Sequence, residues 1–294
     1  MYITIAIPFY NEELFLLDAI KSVFAQTHTE WELLLIDDGS TDNSLSIAKS
    51  IKDPRVHVYS DGKNKKLASR LNEIVKLAKY DIVARMDADD LMSPYRIEKQ
   101  VEILEKNSEF DLVSTGIYSI NDSFRPISVR CHLDNNINLY NLLFRRGGAG
   151  IVHASILAKK EFFVRNPYNE SYPIAQDFGL WIECFMKGDL NIFIMKEPLY
   201  FYREEGSLNL KKILLAYKFE RIFFKKYLKK YKFILIIRSY LKSLIYIIVN
   251  FFGFFETLIK RRNYSSLSKE HKEKYYSDLA IINLVNLKEL FNTK

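Results

Sequence analysis

Two tight carboxylate clusters, Asp37-Asp38 and Asp87-Ala88-Asp89-Asp90, are the residues of this chain best suited to chemistry. Carboxylates this close repel, so such clusters persist where a cation, a base edge or a ribose hydroxyl occupies them. An Asp-x-Asp holding one divalent ion can grip a diphosphate, because the ion bridges two phosphate oxygens. Each cluster also has an ordinary explanation: Asp37-Asp38-Gly39-Ser40 has the composition of a turn, and Asp87 to Asp90 that of a solvated helix start. His153 follows a glycine-rich loop and is either a contact to a diphosphate or acceptor or a structural histidine.

The elements before the clusters must position them. Tyr2 to Ile7 reads as a buried strand, followed by a helix that Asn11 caps and that carries Leu14, Leu17, Ile20 and Phe24 on one face. Trp31 to Ile36 is a second apolar strand running into Asp37, and Leu45, Ile47, Ala48 and Ile51 mark the next helix. Val56 and Val58 suit a brief strand, Leu67 to Ala78 a helix, and Asp81 to Met86 the strand that delivers Asp87. Ser93-Pro94 starts a helix with Ile97, Val101 and Leu104, and Asp111 to Ser119 is another strand. The stretch from Asn121 to Gly150 has weak periodicity and reads as connections and short elements over the site. Strands alternating with helices predict an α/β fold with a mostly parallel sheet, both clusters lying at strand carboxyl ends where such sheets bind ligands.

Taken in order, Pro8-Phe9-Tyr10-Asn11-Glu12, Asp37-Asp38-Gly39-Ser40-Thr41-Asp42 and Ala84-Arg85-Met86-Asp87-Ala88-Asp89-Asp90 resemble the family 2 glycosyltransferases of the GT-A fold. The likeness runs over roughly residues 2 to 205, and an ordered set of motifs is far more specific than any one of them. It implies inverting transfer of a sugar from a nucleotide diphosphate donor, with uridine the family-level expectation, onto a lipid-linked or growing surface glycan such as a capsule or O-antigen. By the same resemblance Pro8 and Tyr10 line the base pocket, Asp38 hydrogen-bonds the base, Asp37 supports that turn, and Asp87 meets the ribose. Asp89, with Asp90 as a weaker second candidate, would hold Mn²⁺ or Mg²⁺.

Ala175-Gln176-Asp177-Phe178-Gly179-Leu180-Trp181 resembles the family's Glu-Asp segment at a helix start, which makes Asp177 the catalytic base. Two positions depart from the pattern. Gln176 stands where the family often has Glu, which removes a negative charge beside the base and is expected to lower its pKa. Tyr202-Arg203-Glu204-Glu205 lacks the His that often follows the Tyr-Arg in the family, so that either Glu205 replaces it as an oxygen ligand or the contact is absent. These departures motivate a second reading, a catalytically silent sugar-nucleotide-binding scaffold of a polysaccharide assembly.

Other chemistries fit less well. A haloacid dehalogenase phosphatase places its Asp-x-Asp after the first strand with Thr soon after, whereas here a later strand precedes the pair and Leu91-Met92 follow. Gly148-x-Gly150 lacks the third glycine of a dinucleotide loop, and no Gly-Lys-Ser phosphate loop is present. Cys131 and Cys184 form no Cys-x-x-Cys, which fits a reducing compartment and gives no thiolate zinc site. Met1 leads straight into the first strand without a basic n-region, so the expected location is cytoplasmic.

Charge divides the chain. The net charge is +7, yet from Lys211 onward roughly nineteen Lys and Arg face about six acids, so the first two thirds are mildly acidic. This predicts a GT-A domain over residues 1–210 and a basic, membrane-facing helical extension over 211–294. Phe219, Phe223, Tyr227 and Tyr231 recur every four residues among lysines, the pattern of a basic amphipathic helix. Phe233 to Ile259 is more apolar, but Arg238 and Lys242 leave an uncharged core shorter than the ~20 residues a spanning helix needs. An interfacial helix on the cytoplasmic face of the bacterial inner membrane is the expectation, suiting a polyprenyl-diphosphate-linked acceptor; the alternative is a packing helix with a solvated lysine face. No recognition motif accompanies the basic residues, so nucleic acid is not an expected partner.

Overall fold

A computed structural model of the chain describes residues 1–131, 137–138, 142, 150–204, 209–228, 231–255, 257–258, 267–286 and 291. Strand β1 (Ile3–Phe9) pairs in parallel with β2 (Trp31–Asp37) on one side and β4 (Ile82–Arg85) on the other, and β3 (Val56–Ser60) extends the sheet beyond β2. β1 and β2 are buried at every position, which is why both read as apolar runs rather than as alternation. Helices α1 (Leu16–Phe24), α2 (Ser44–Ser50) and α3 (Lys66–Leu77) connect them.

Beyond α4 (Arg96–Lys106) the sheet runs in both directions. β6 (Leu112–Ile120) is parallel to β9 (Ile192–Arg203), while β8 (Leu157–Lys159) and β7 (Pro126–Arg130) lie antiparallel along the start and end of β6. β8 joins this half to β4, and the short β5 (Leu91–Met92) pairs antiparallel with β9. The order is β3-β2-β1-β4-β8-β6-β9-β5 with β7 beside β6, a mixed sheet with its parallel run in the first half. The strand-helix alternation that signals parallel pairing stops at α4, and β7 follows β6 through a tight reversal in which Phe124 takes φ 56°. β7 is one of the short elements expected after Asn121, although the weak periodicity there did not mark it as a strand.

Asn11 does not cap α1, which begins at Leu16 behind Phe15. At φ 56° it turns the chain, and its Oδ1 accepts the Thr41 N–H at 2.8 Å, lacing the loop after β1 to the loop after β2. Leu14 is accordingly 76% exposed, and Leu16, Ala19, Ile20 and Val23 form the buried face instead.

Five more helices follow among the described residues: α5 (Lys160–Arg165), α6 (Gln176–Lys187), α7 (Leu210–Tyr227), α8 (Lys232–Phe251) and α9 (Lys269–Asn283). A boundary at 210 does not separate two packing units. Tyr275 and Ile282 of α9 pack with Leu91, Tyr118 and Phe201 of the sheet, and Ser93 Oγ donates to Asp278 at 2.6 Å. The aromatic stripe of α7 is also turned inward: Phe219, Phe223 and Tyr227 pack on α6 with Phe178 and Ile182, whereas Tyr231 is exposed. For α7 the structure therefore favours the packing alternative. α8 is long and apolar enough to cross a bilayer by length and composition, because the helix continues through Arg238 and Lys242 rather than starting after them.

The α6–α7 seam depends on Gly179. A Cβ there would stand 2.9 Å from both Phe223 Cζ and Tyr172 Cε2. Alanine normally gains about 1 kcal/mol over glycine in a helix, but Phe223 is fully buried and has nowhere to move. Overpacking of about 1–3 kcal/mol should win. Gly179→Ala is expected to lower Tm by about 2 °C for each kcal/mol of destabilisation, and thermal denaturation followed by circular dichroism reads it.

Candidate active site

The carboxyl ends of β1, β2 and β4 are neighbours, and each delivers part of the site. Asp37 ends β2; its Oδ1 accepts the Ser40 N–H at 2.9 Å and its Oδ2 the Ser60 hydroxyl at 2.6 Å. Burial acts to raise its pKa, but these bonds outweigh burial and hold it below the ordinary value. Asp38 accepts the Lys65 N–H at 2.7 Å, the Lys66 N–H at 3.1 Å and Arg70 Nε at 2.9 Å. Three of its roughly four acceptor positions are thus committed to the approach to α3, leaving one for a ligand donor. Gly39 makes this loop possible: it takes φ +77°, and a Cβ would meet the Lys63 carbonyl carbon at 2.8 Å. Pro8 pairs with Ile36 in the last turn of β1, and Tyr10, 45% exposed, stands just beyond it.

Asp87, Asp89 and Asp90 follow β4, each offering a ligand atom within 4.8 Å of the others. Their surroundings differ. Asp90 is buried and already accepts the Tyr200 hydroxyl at 2.8 Å and the Arg203 N–H at 2.7 Å. It locks the loop to β9, which leaves Asp87 and Asp89 as the better oxygens for an ion. Burial, followed by the charge of Asp87, pushes the Asp89 pKa up to about 6. Glu12 is pushed up to about 7 by burial and then by Asp89 and Asp87, so a further carboxyl faces the pair from the loop after β1. Oxygen donors crowded this way suit a hard divalent cation such as Mn²⁺ or Mg²⁺. Arg203 braces the same loop, donating from Nε to the Asp89 carbonyl at 2.8 Å and lying 3.8 Å over the Phe15 ring.

A cavity of about 540 Å³ opens beside this cluster, with Arg85, Asp87, His153, Gln176, Asp177 and Tyr202 on its wall. Asp177 lies in the first turn of α6, where the helix dipole favours a carboxylate. The residue before Gln176, Ala175, is held at φ 58°, an uncommon conformation for a residue with a side chain and one that collects at functional sites. Burial raises the pKa of Asp177, opposed by the Phe178 N–H and by Arg85. The expectation that Gln176 lowers it is thus outweighed: a missing neighbouring charge changes less than removal from water. His153 sits in a 3₁₀ turn (His153–Ser155) with Nε2 2.8 Å from the Tyr168 hydroxyl, and burial pushes its pKa well below the ordinary value. It is a neutral, anchored wall residue.

The structure therefore brings Asp87, His153 and Asp177 onto one cavity wall. Pro8, Tyr10, Asp37 and Asp38 lie off that wall, at the ends of the adjoining strands, and Glu205 lies outside the described residues. Sequence reasoning gave no role to Arg85 or Tyr200. Arg85 is buried, donates to Asp87, and has Nε and Nη1 without a partner among the described residues. Its place at the end of the predicted strand, two residues before Asp87, was the available signal.

The comparisons agree with this geometry. The family model described as Glycosyl transferase family 2 matches residues 4–180, and the chain belongs to that family. The putative glycosyltransferase EpsE of Bacillus subtilis (strain 168) is 40% identical over 211 residues, 70% of this chain and 74% of that one. The O-antigen biosynthesis glycosyltransferase WbnJ of Escherichia coli is 28% identical over 218 residues, 72% of this chain and 83% of that one. Among solved structures, residues 1–349 of S. aureus TarS in complex with UDP match with a TM-score of 0.61 at 13% identity, over 96% of this chain and 80% of that one. The mannosyltransferase PcManGT from Pyrobaculum calidifontis, in complex with GDP-Man and Mn²⁺, matches with a TM-score of 0.55 at 14% identity, over 99% and 88%. At these identities the likeness is one of fold, the GT-A fold.

Proposed function

We propose that this family 2 glycosyltransferase is an inverting, divalent-metal-dependent enzyme that moves a sugar from a nucleoside diphosphate donor, a UDP-sugar, onto a lipid-linked or growing surface glycan. The observation that carries the reading is the shared cavity wall of Asp87 and Asp177 beside the carboxylate pair. Asp87 and Asp89 would hold Mn²⁺ or Mg²⁺, which when bound neutralises the charge of the departing diphosphate. Asp38 and Asp87 meet the base and ribose, with Pro8 and Tyr10 bounding the base. Asp177 accepts the proton of an acceptor hydroxyl as its oxygen bonds to the anomeric carbon, while the bond from that carbon to the phosphate oxygen breaks and its electron pair leaves with the nucleoside diphosphate. One displacement of this kind inverts the anomeric centre. Burial makes Asp177 a stronger base than an exposed aspartate while keeping it in reach of the acceptor.

The acceptor reading is supported by WbnJ, whose name places it in O-antigen biosynthesis, and by the apolar face of α8, which suits the cytoplasmic surface of a membrane carrying lipid-linked glycans. The test is release of nucleoside diphosphate from a panel of UDP-, GDP- and dTDP-sugars, with and without Mn²⁺. Metal-dependent turnover of one donor supports the enzyme. Donor binding with no turnover, even when membrane extract supplies acceptors, would instead favour the silent scaffold.

A further inference from the structure

The hairpin of α7 and α8 has one face on the catalytic helix and the other in solvent. On the inner side Phe223 meets Phe178 at 5.4 Å and Tyr172 at 5.1 Å between ring centres, directly over Gly179. The Tyr227 hydroxyl donates to Glu183 at 2.6 Å, and Leu235 of α8 joins the same cluster. α7 thus covers the face of α6 that begins one residue after Asp177. The two hairpin helices are locked in register: Leu235, Ser239, Ser243 and Tyr246 of α8 are buried, Ser239 Oγ donates to Glu220 at 2.8 Å, and Arg221 reaches Ser243 Oγ at 3.1 Å.

Among the described residues nothing covers the outer side of α8. Phe233, Ile237, Leu241, Leu244, Ile248 and Phe251 are between 44% and 82% exposed and follow one helical stripe. Lys232 on α8 and Lys218 and Lys225 on α7 are solvent-facing, and Glu220 is the single acid between residues 210 and 255. An apolar stripe bordered by cations of one sign is complementary to anionic headgroups over acyl chains. It would repel a second copy of itself presented face to face.

We propose that α8 docks on an anionic lipid surface and that α7, through Phe223 and Tyr227, relays docking to α6 and fixes the position of Asp177. The idea rests on the transferase reading above and extends it: the base helix is braced from outside by an element whose own outer face is satisfied only at a membrane. The transferase then works fastest where its lipid-linked acceptor is, and donor hydrolysis by water in the cytosol is restrained.

The experiment combines the full-length protein with vesicles of phosphatidylglycerol and phosphatidylcholine, or of phosphatidylcholine alone. Vesicle cosedimentation, nucleoside diphosphate release with soluble acceptor, and amide hydrogen exchange over α6 are measured on the same samples. The expected result is binding to the anionic vesicles, slower exchange in the first turns of α6, and a rate increase of about fivefold or more. Leu244→Asp, on the exposed stripe, loses binding and stimulation together. Phe223→Ala keeps binding but loses stimulation, and Tyr227→Phe, which removes only the bond to Glu183, weakens it without disturbing the packing. Binding with unchanged exchange and rate in the wild type overturns the relay without recourse to any variant. Absence of binding, or a dimer that buries α8 in light scattering, overturns the lipid occupant. Protection of α6 with no turnover under any condition would sink the transferase reading and leave the relay standing.

Discussion

Asp177→Asn is expected to lower kcat for sugar transfer by about 10²–10⁴ while the KM for the donor stays within a few-fold, because a general base contributes about that much and works only in the transition state. Asparagine keeps the shape and the place at the start of α6 but cannot take a proton. The wild-type pH profile carries a second signature. The base must be ionised, so the rate falls as pH falls through its pKa. Burial raises that pKa, placing the acid limb above the ~3.9 of an ordinary aspartate. Steady-state rates from acid to neutral pH should show that limb in the wild type and lose it in the variant. A variant that keeps the wild-type rate removes Asp177 from the chemistry.

Asp89→Ala should weaken donor binding in the presence of Mn²⁺ by about two orders of magnitude, equivalent to roughly 3 kcal/mol, and should abolish the difference between metal and chelator. Asp90→Asn makes the contrast. The carboxyl of Asp90 is occupied by the Tyr200 hydroxyl and the Arg203 N–H, so its loss falls mainly on stability, about 1–3 kcal/mol for a buried group left poorly paired. Titration calorimetry of the nucleoside diphosphate with and without metal, beside thermal melts, separates the two. Equal loss of metal dependence in both variants would mean that Asp90 is a ligand after all.

The first four strands could be read because three are short apolar runs and β3 alternates Val56 and Val58 with polar residues, each followed by an acid or a turn, and local pattern alone specifies such an element. The same is true of the two acidic clusters. What could not be read is whatever depends on a distant partner. Asp87 and Asp90 look alike in sequence; only Tyr200 and Arg203, more than a hundred residues on, make Asp90 a lock. The stripe of α7 has the same periodicity whether it meets lipid or protein, and Phe178 and Ile182 of α6 decide the matter. Leu14 matched a helical period by coincidence, since nothing in the pattern announces that Asn11 turns the chain at positive φ.

The return of α9 to the sheet has a consequence for how the protein comes into being. Met92 and Leu91 are held by Tyr200 and Phe201, and Ser93 is held by Asp278, so the segment that follows the Asp87 to Asp90 cluster is stapled by residues made long after it. On the ribosome the first three strands and their helices can pair as they emerge, but the loop carrying Asp89 has no fixed shape until most of the chain has been synthesised. Long-range closure of this kind is slow. A nascent chain stalled near its midpoint would hold the paired first strands while the acidic loop after β4 still lacked the partners that fix it.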